Sequence, residues 1–158
     1  MRIRTFASLI GAALLAAACD SSTGPTTSVT ELPGLEQQES KWQSRGLHDY
    51  HFDYHYQFAG VKQAARIYIT SDAVAAVMDL ATDSALSLDA SAPWPTVDSL
   101  FTRARVALAS EDVDVKITCD AMLGYPTRID VSPKVATPAG GSSTRAEGLK
   151  PMVVLSPQ

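Results

Sequence analysis

From Tyr50 to Phe58 the chain alternates without a break, with Tyr50, Phe52, Tyr54, Tyr56 and Phe58 set against His51, Asp53, His55 and Gln57. Successive side chains of a strand point to opposite faces, so the pattern predicts a strand with one aromatic and one polar face. Ala59-Gly60 ends it, Ala65 to Thr70 reads as a second strand, and Ser71-Asp72 reads as a turn. The same alternation returns where Val113, Val115, Ile117 and Cys119 interleave with Asp112, Asp114, Lys116, Thr118 and Asp120. Leu123-Gly124-Tyr125-Pro126 then reads as a turn, and Thr127 to Val131 as the strand that pairs back in a hairpin. Helical spacing appears twice. Thr96 to Ala109 places Val97, Leu100, Phe101, Ala104 and Leu108 on one stripe, with Thr96 as N-cap and Asp98 in the first turn. Leu35 to Arg45 is a shorter helix that brings Leu35, Glu39 and Trp42 to one side and stops at Gly46. Ala73 to Ala81 is a short apolar run that periodicity alone does not assign to helix or strand. Thr82 to Pro95 and the Gly/Ser/Pro-containing stretch from Val135 to Glu147 read as loops, and Met152 to Leu155 as an edge strand.

The N-terminus follows a different rule. Arg2 and Arg4 precede an apolar run from Phe6 to Ala18 broken only by Ser8 and Gly11, and small residues lead up to Cys19. This is the tripartite layout of a secretory signal, too short to span a bilayer, which needs ~20 apolar residues. Leu14-Leu15-Ala16-Ala17-Ala18-Cys19 resembles the lipobox of bacterial lipoproteins, with Ala16 where Leu is usual three places before the cysteine. The resemblance implies cleavage before Cys19 and acylation of its thiol and freed amine. Two or three acyl chains anchor stably, because each buried CH₂ contributes ~0.8 kcal/mol. Residues 1–18 are therefore expected to be a signal peptide and 19–34 a lipidated cysteine with a flexible tether. Residues 35–158 are expected to form a single domain. The tether expectation rests on Asp20 to Pro33, which is rich in Ser and Thr and lacks aromatic residues. A coil of that length spans ~20 Å.

Composition narrows the classes. Against 17 Asp+Glu the chain carries 13 Lys+Arg, and Arg2 and Arg4 leave with the signal, so the mature domain is acidic. That gives no footprint for nucleic acid and no extra attraction to anionic lipid. With Cys19 assigned to the anchor, Cys119 has no disulfide partner, and the fold must rest on its apolar core.

Three stretches together are similar to the DUF6174 family of small bacterial lipoproteins and secreted proteins. They are Trp42 before Tyr50-His-Phe-Asp-Tyr-His-Tyr56, the helix entry Thr96-Val-Asp-Ser-Leu-Phe101, and Val115-Lys-Ile-Thr-Cys-Asp120 leading into Gly124-Tyr-Pro-Thr-Arg-Ile-Asp130. The resemblance implies three strands, a helix and further strands, which favours a strand at Ala73 to Leu80. It implies no activity and no catalytic residue. Many members carry cysteines near the end of the aromatic strand; here Gln57-Phe58-Ala59-Gly60 has none, so no disulfide or redox role carries over.

The remaining candidate chemistry is sparse. His51, Asp53 and His55 share a strand face, and imidazole and carboxylate at alternate positions can ligate zinc or copper. On the other reading they are a solvated face. Cys119 falls on an apolar face, where a free thiol is usually inert packing. The aromatic face is expected to pack under the Thr96–Ala109 helix, with partners for its tyrosine hydroxyls. HExxH, GxSxG, CxxC and glycine-rich phosphate loops are absent from the sequence. The expectation is an α+β domain: an antiparallel sheet of about five or six strands, one helix on a face and a short N-terminal helix. It is read as a non-catalytic lipoprotein of the bacterial cell envelope, held on the periplasmic or extracellular side by lipid on Cys19. Its role is to bind an envelope partner or serve a structural purpose, without a cofactor. The alternative is metal or small-ligand binding through His51, Asp53 and His55.

Overall fold

The structure is a computed structural model that describes residues 24–89 and 94–152. The expected signal peptide and Cys19 lie outside the described residues. Among the described residues seven strands and two helices follow in the order β1 (Thr26–Val29), α1 (Leu32–Gln43), β2 (Tyr50–Phe58), β3 (Val61–Thr70), β4 (Ala73–Asp79), α2 (Val97–Leu108), β5 (Val113–Asp120), β6 (Pro126–Pro133) and β7 (Ser142–Pro151). All seven strands join one antiparallel sheet in the order β1-β5-β6-β7-β2-β3-β4. The α+β class is as expected, but the sheet has seven strands rather than five or six.

The aromatic strand β2 has the bounds its alternation predicts. Its hairpin to β3 turns on Ala59 and Gly60, and the β3–β4 hairpin on Ser71 and Asp72. All four turn residues have positive φ, as tight two-residue hairpins require. Ala73–Asp79 is a strand, as the family resemblance favours. Helix α2 is capped as predicted, with the Thr96 side chain accepting from the Ser99 amide.

Both helices lie on one face of the sheet. Val97, Leu100, Phe101 and Ala104 of α2 and Leu35 and Trp42 of α1 share a buried core with Tyr50, Phe52, Tyr54, Ile67, Ile69, Ile117, Cys119 and Ile129. The tyrosine hydroxyls find partners. That of Tyr50 accepts from the Val97 amide at 3.3 Å, and that of Tyr54 from Arg103 Nη1 at 3.1 Å. The aromatic face is covered only along its first half; Tyr56 is half-buried and Phe58 is exposed.

Three segments differ from the expectation. The stretch from Asp20 to Pro33 is expected as tether, yet Thr26–Val29 forms β1 on the sheet edge, and α1 begins at Leu32 rather than Leu35. An edge strand needs only one inward apolar residue, here Val29, because backbone pairing with β5 supplies the rest. Pro33 sits in the first turn of α1, where its missing N–H costs nothing. The second segment, Val135 to Glu147, is expected as a loop, but Ser142–Pro151 is β7, near the middle of the sheet between β6 and β2. Its inward residues are the small Thr144 and Ala146, opposite the large Tyr56 and Tyr54. The aromatic rings fill the space, so their neighbours must be small, and a strand of Ser, Thr, Ala and Gly hides its β character. The edge strand expected at Met152 to Leu155 is not seen at Met152, which lies just past β7 with its amide donating to the Asp49 carbonyl. Val153 to Leu155 lie outside the described residues.

Candidate binding face

Among the described residues no helix or strand covers the sheet face opposite the helices, and that face is polar. Strand register arranges it in rows. His55, Arg145, Arg128, Thr118 and Ser28 form one row, on β2, β7, β6, β5 and β1. Gln57, Ser143, Asp130 and Lys116 form the next. Met78, Arg66, Asp53 and Glu147 form a third, across β4, β3, β2 and β7.

His51, Asp53 and His55 all lie on this face, as alternation requires, but the structure does not assemble them into a metal site. Arg66 takes both Asp53 oxygens in a fork, Nε to Oδ1 at 2.7 Å and Nη2 to Oδ2 at 3.0 Å. The contact holds the Arg66 guanidinium still more firmly protonated than usual. The His51 ring lies against Tyr68 at 5.5 Å between centroids, and its Nδ1 is buried without a partner among the described residues. Burial, and then the nearby Arg66 charge, lower its pKa. The third histidine, His48, pairs through Nδ1 with Asp72 at 2.8 Å. Among the described residues no group of three His, Cys, Asp or Glu side chains is placed to hold a metal ion.

Cys119 is fully buried on the helix face, and burial pushes its thiol pKa up to about 12. It is core packing, as its place on the strand predicts.

What sequence reading missed on the open face is its cationic centre. Arg128 and Arg145 face each other directly across β6 and β7, and both are exposed. Two shallow hollows meet at this pair. One of ≈ 440 Å³ is bordered by Gly24, Thr118, Asp120, Arg128, Arg145 and Glu147. The other, of ≈ 430 Å³, is bordered by Lys116, Arg128, Asp130, Ser143 and Arg145. Arg128 was legible as an outward residue of its strand. Arg145 was not, because β7 did not read as a strand at all.

The end of the sheet where β1 enters has its own character. Lys41 Nζ donates to the Ala121 carbonyl at 3.2 Å, and Arg45 Nη2 to that of Met122 at 2.5 Å. The Ala121 amide donates to the Pro25 carbonyl at 2.8 Å, which ties the first described residues to this turn. Met122 is exposed there.

Residues 34–141, more than half of the chain, match the family of unknown function DUF6174. A comparison with curated proteins returns no match.

Proposed function

The chain belongs to DUF6174, and on that footing we propose that it is a lipid-anchored envelope protein that binds a partner through the open face of its sheet, without catalysis of its own. The observation that carries this reading is the distance in sequence between anchor and sheet. Cys19, the cysteine of the lipobox-like stretch, lies five positions before Gly24, and β1 is already paired at Thr26. Five residues reach at most ~18 Å. The anchor would thus hold the β1–β5 end of the sheet close to the membrane surface, the end where Met122, Lys41 and Arg45 lie. Three of the side chains singled out as candidate chemistry are already engaged. Cys119 is buried, Asp53 is clamped by Arg66, and His51 lies tilted against Tyr68. The same contacts argue against the alternative of metal binding through His51, Asp53 and His55.

Two experiments test the reading. Labelling with a radioactive or alkyne-tagged fatty acid should mark the wild type and not Cys19→Ser; a labelled variant would refute the anchor. In-cell crosslinking of the tagged full-length protein, followed by mass spectrometry, should recover one near-stoichiometric envelope protein. Recovery of background alone would remove the protein-partner role.

A further inference from the structure

We propose that Arg128 and Arg145 form an oxyanion site on the open sheet face that takes a carboxylate or phosphate group of a ligand. The site does not depend on the anchor. Register sets the two arginines directly opposite each other on neighbouring strands in the interior of the sheet. Residues so placed have Cβ atoms ~4.5–5.5 Å apart, and like charges there are destabilising. The pair is neutralised on one side only, by the ion pair of Arg128 with Asp130. Arg128 donates its Nε to Asp130 Oδ2 at 2.6 Å, which leaves its terminal nitrogens available. Arg145 has no ion pair among the described residues, and Asp130 also accepts from Ser143 Oγ at 2.7 Å. Glu147, two residues along β7 on the same face, is opposite Asp53 rather than Arg128. His55 flanks Arg145 on its other side, and Thr118 flanks Arg128.

Guanidinium groups on directly paired residues can reach one planar or tetrahedral oxyanion, because each presents a fork of donors that matches such oxygens two at a time. The two hollows that meet at the pair leave room for the remainder of the ligand. A bound oxyanion would convert a repulsive cross-strand pair into two charge-assisted contacts, so ligand binding and stability are linked through the same two side chains.

The test uses the full-length protein in a non-ionic detergent, titrated with inorganic phosphate and, separately, with succinate. Binding is followed by NMR at the arginine Nε–Hε groups and the β6 and β7 amides. Saturable shifts centred on Arg128 and Arg145 are expected with at least one probe, and which probe it is separates a phosphate-bearing from a carboxylate-bearing ligand. Arg145→Gln should weaken that binding about tenfold or more, and Lys150→Gln, on the same face, should not. Without added anion, Arg145→Gln should melt at or above the wild-type temperature, since it relieves repulsion. Three results would overturn the proposal: absence of saturable shifts with both probes, binding indifferent to Arg145→Gln, or a lower melting temperature for that variant, which would make Arg145 a structural residue.

Discussion

The amide of Val97, first residue of α2, donates to the hydroxyl of Tyr50, first residue of β2, at 3.3 Å in the buried core. The first four amides of a helix have no partner within it, and this one is satisfied by a side chain from an element 47 positions earlier. The contact ties the helix start to the sheet and explains how a tyrosine can be almost fully buried. Burial pushes its pKa up to about 12. Tyr50→Phe keeps the ring contacts with Trp42 and Phe52 but orphans the Val97 amide. A loss of about 1–3 kcal/mol is expected, read as a lower urea midpoint at unchanged slope.

Gly124 is the tightest point between the β5–β6 turn and α1. Its φ is +88°, and a Cβ there would lie 2.5 Å from the Gln38 carbonyl oxygen and 3.2 Å from the Trp42 amide nitrogen. Both neighbours are helix backbone and cannot swing aside. Gly124→Ala combines a left-handed backbone with a clash, each costing roughly 1–3 kcal/mol. A fall of several degrees or more in the melting temperature is expected. Gly60→Ala, at φ +84° with open space around it, should cost less.

His51 sets an acid limb on stability. Its pKa is lowered in the fold by burial and by Arg66, so the unfolded chain binds the proton more tightly. The contribution is therefore complete above the ordinary imidazole value of about 6.5. It is lost as pH falls from there through the lowered folded value. Between about pH 7 and about pH 5, His51→Phe should lose less stability than the wild type. Parallel urea curves for the two proteins across that range would contradict this.

Cys119 should be silent until the protein unfolds. It is fully buried and its thiol pKa is about 12, so almost no thiolate is present at neutral pH. Maleimide should modify it in denaturant and leave it untouched in the native state. Rapid native labelling would show that the core around Cys119 opens on the labelling timescale.

How much could be read in advance depended on the size of the inward side chains. Where they are large, as in β2, β5 and α2, period alone located the element to within a residue or two. The thiol of Cys119 and the cap at Thr96 followed from the same logic. Where they are small or few, the reading failed. Thr144 and Ala146 of β7 and Val29 of β1 contribute little apolar signal, so a strand inside the sheet passed for a loop and an edge strand for tether. Both errors share a cause: these strands are held by backbone pairing to neighbours distant in sequence, which leaves no local periodic trace.

The candidate site divides along the same line. Alternation along β2 put His51, Asp53 and His55 on one face, and that much was determined by the sequence alone. Whether they meet a metal or one another's neighbours depended on what β3 places opposite them. The answer, Arg66 against Asp53 and Tyr68 against His51, is set by hairpin register. The Arg128–Arg145 pair is the same kind of fact one step further away, since it needs β7 to exist and to lie between β6 and β2. By itself the sequence determined the periods of β2, β5 and α2, the α+β class, and the lipobox-like approach to Cys19, because each is written in contiguous residues. Only the tertiary structure decided the seven-strand order, the uncovered face and the charges gathered on it, because pairing between distant strands is chosen by packing and register together.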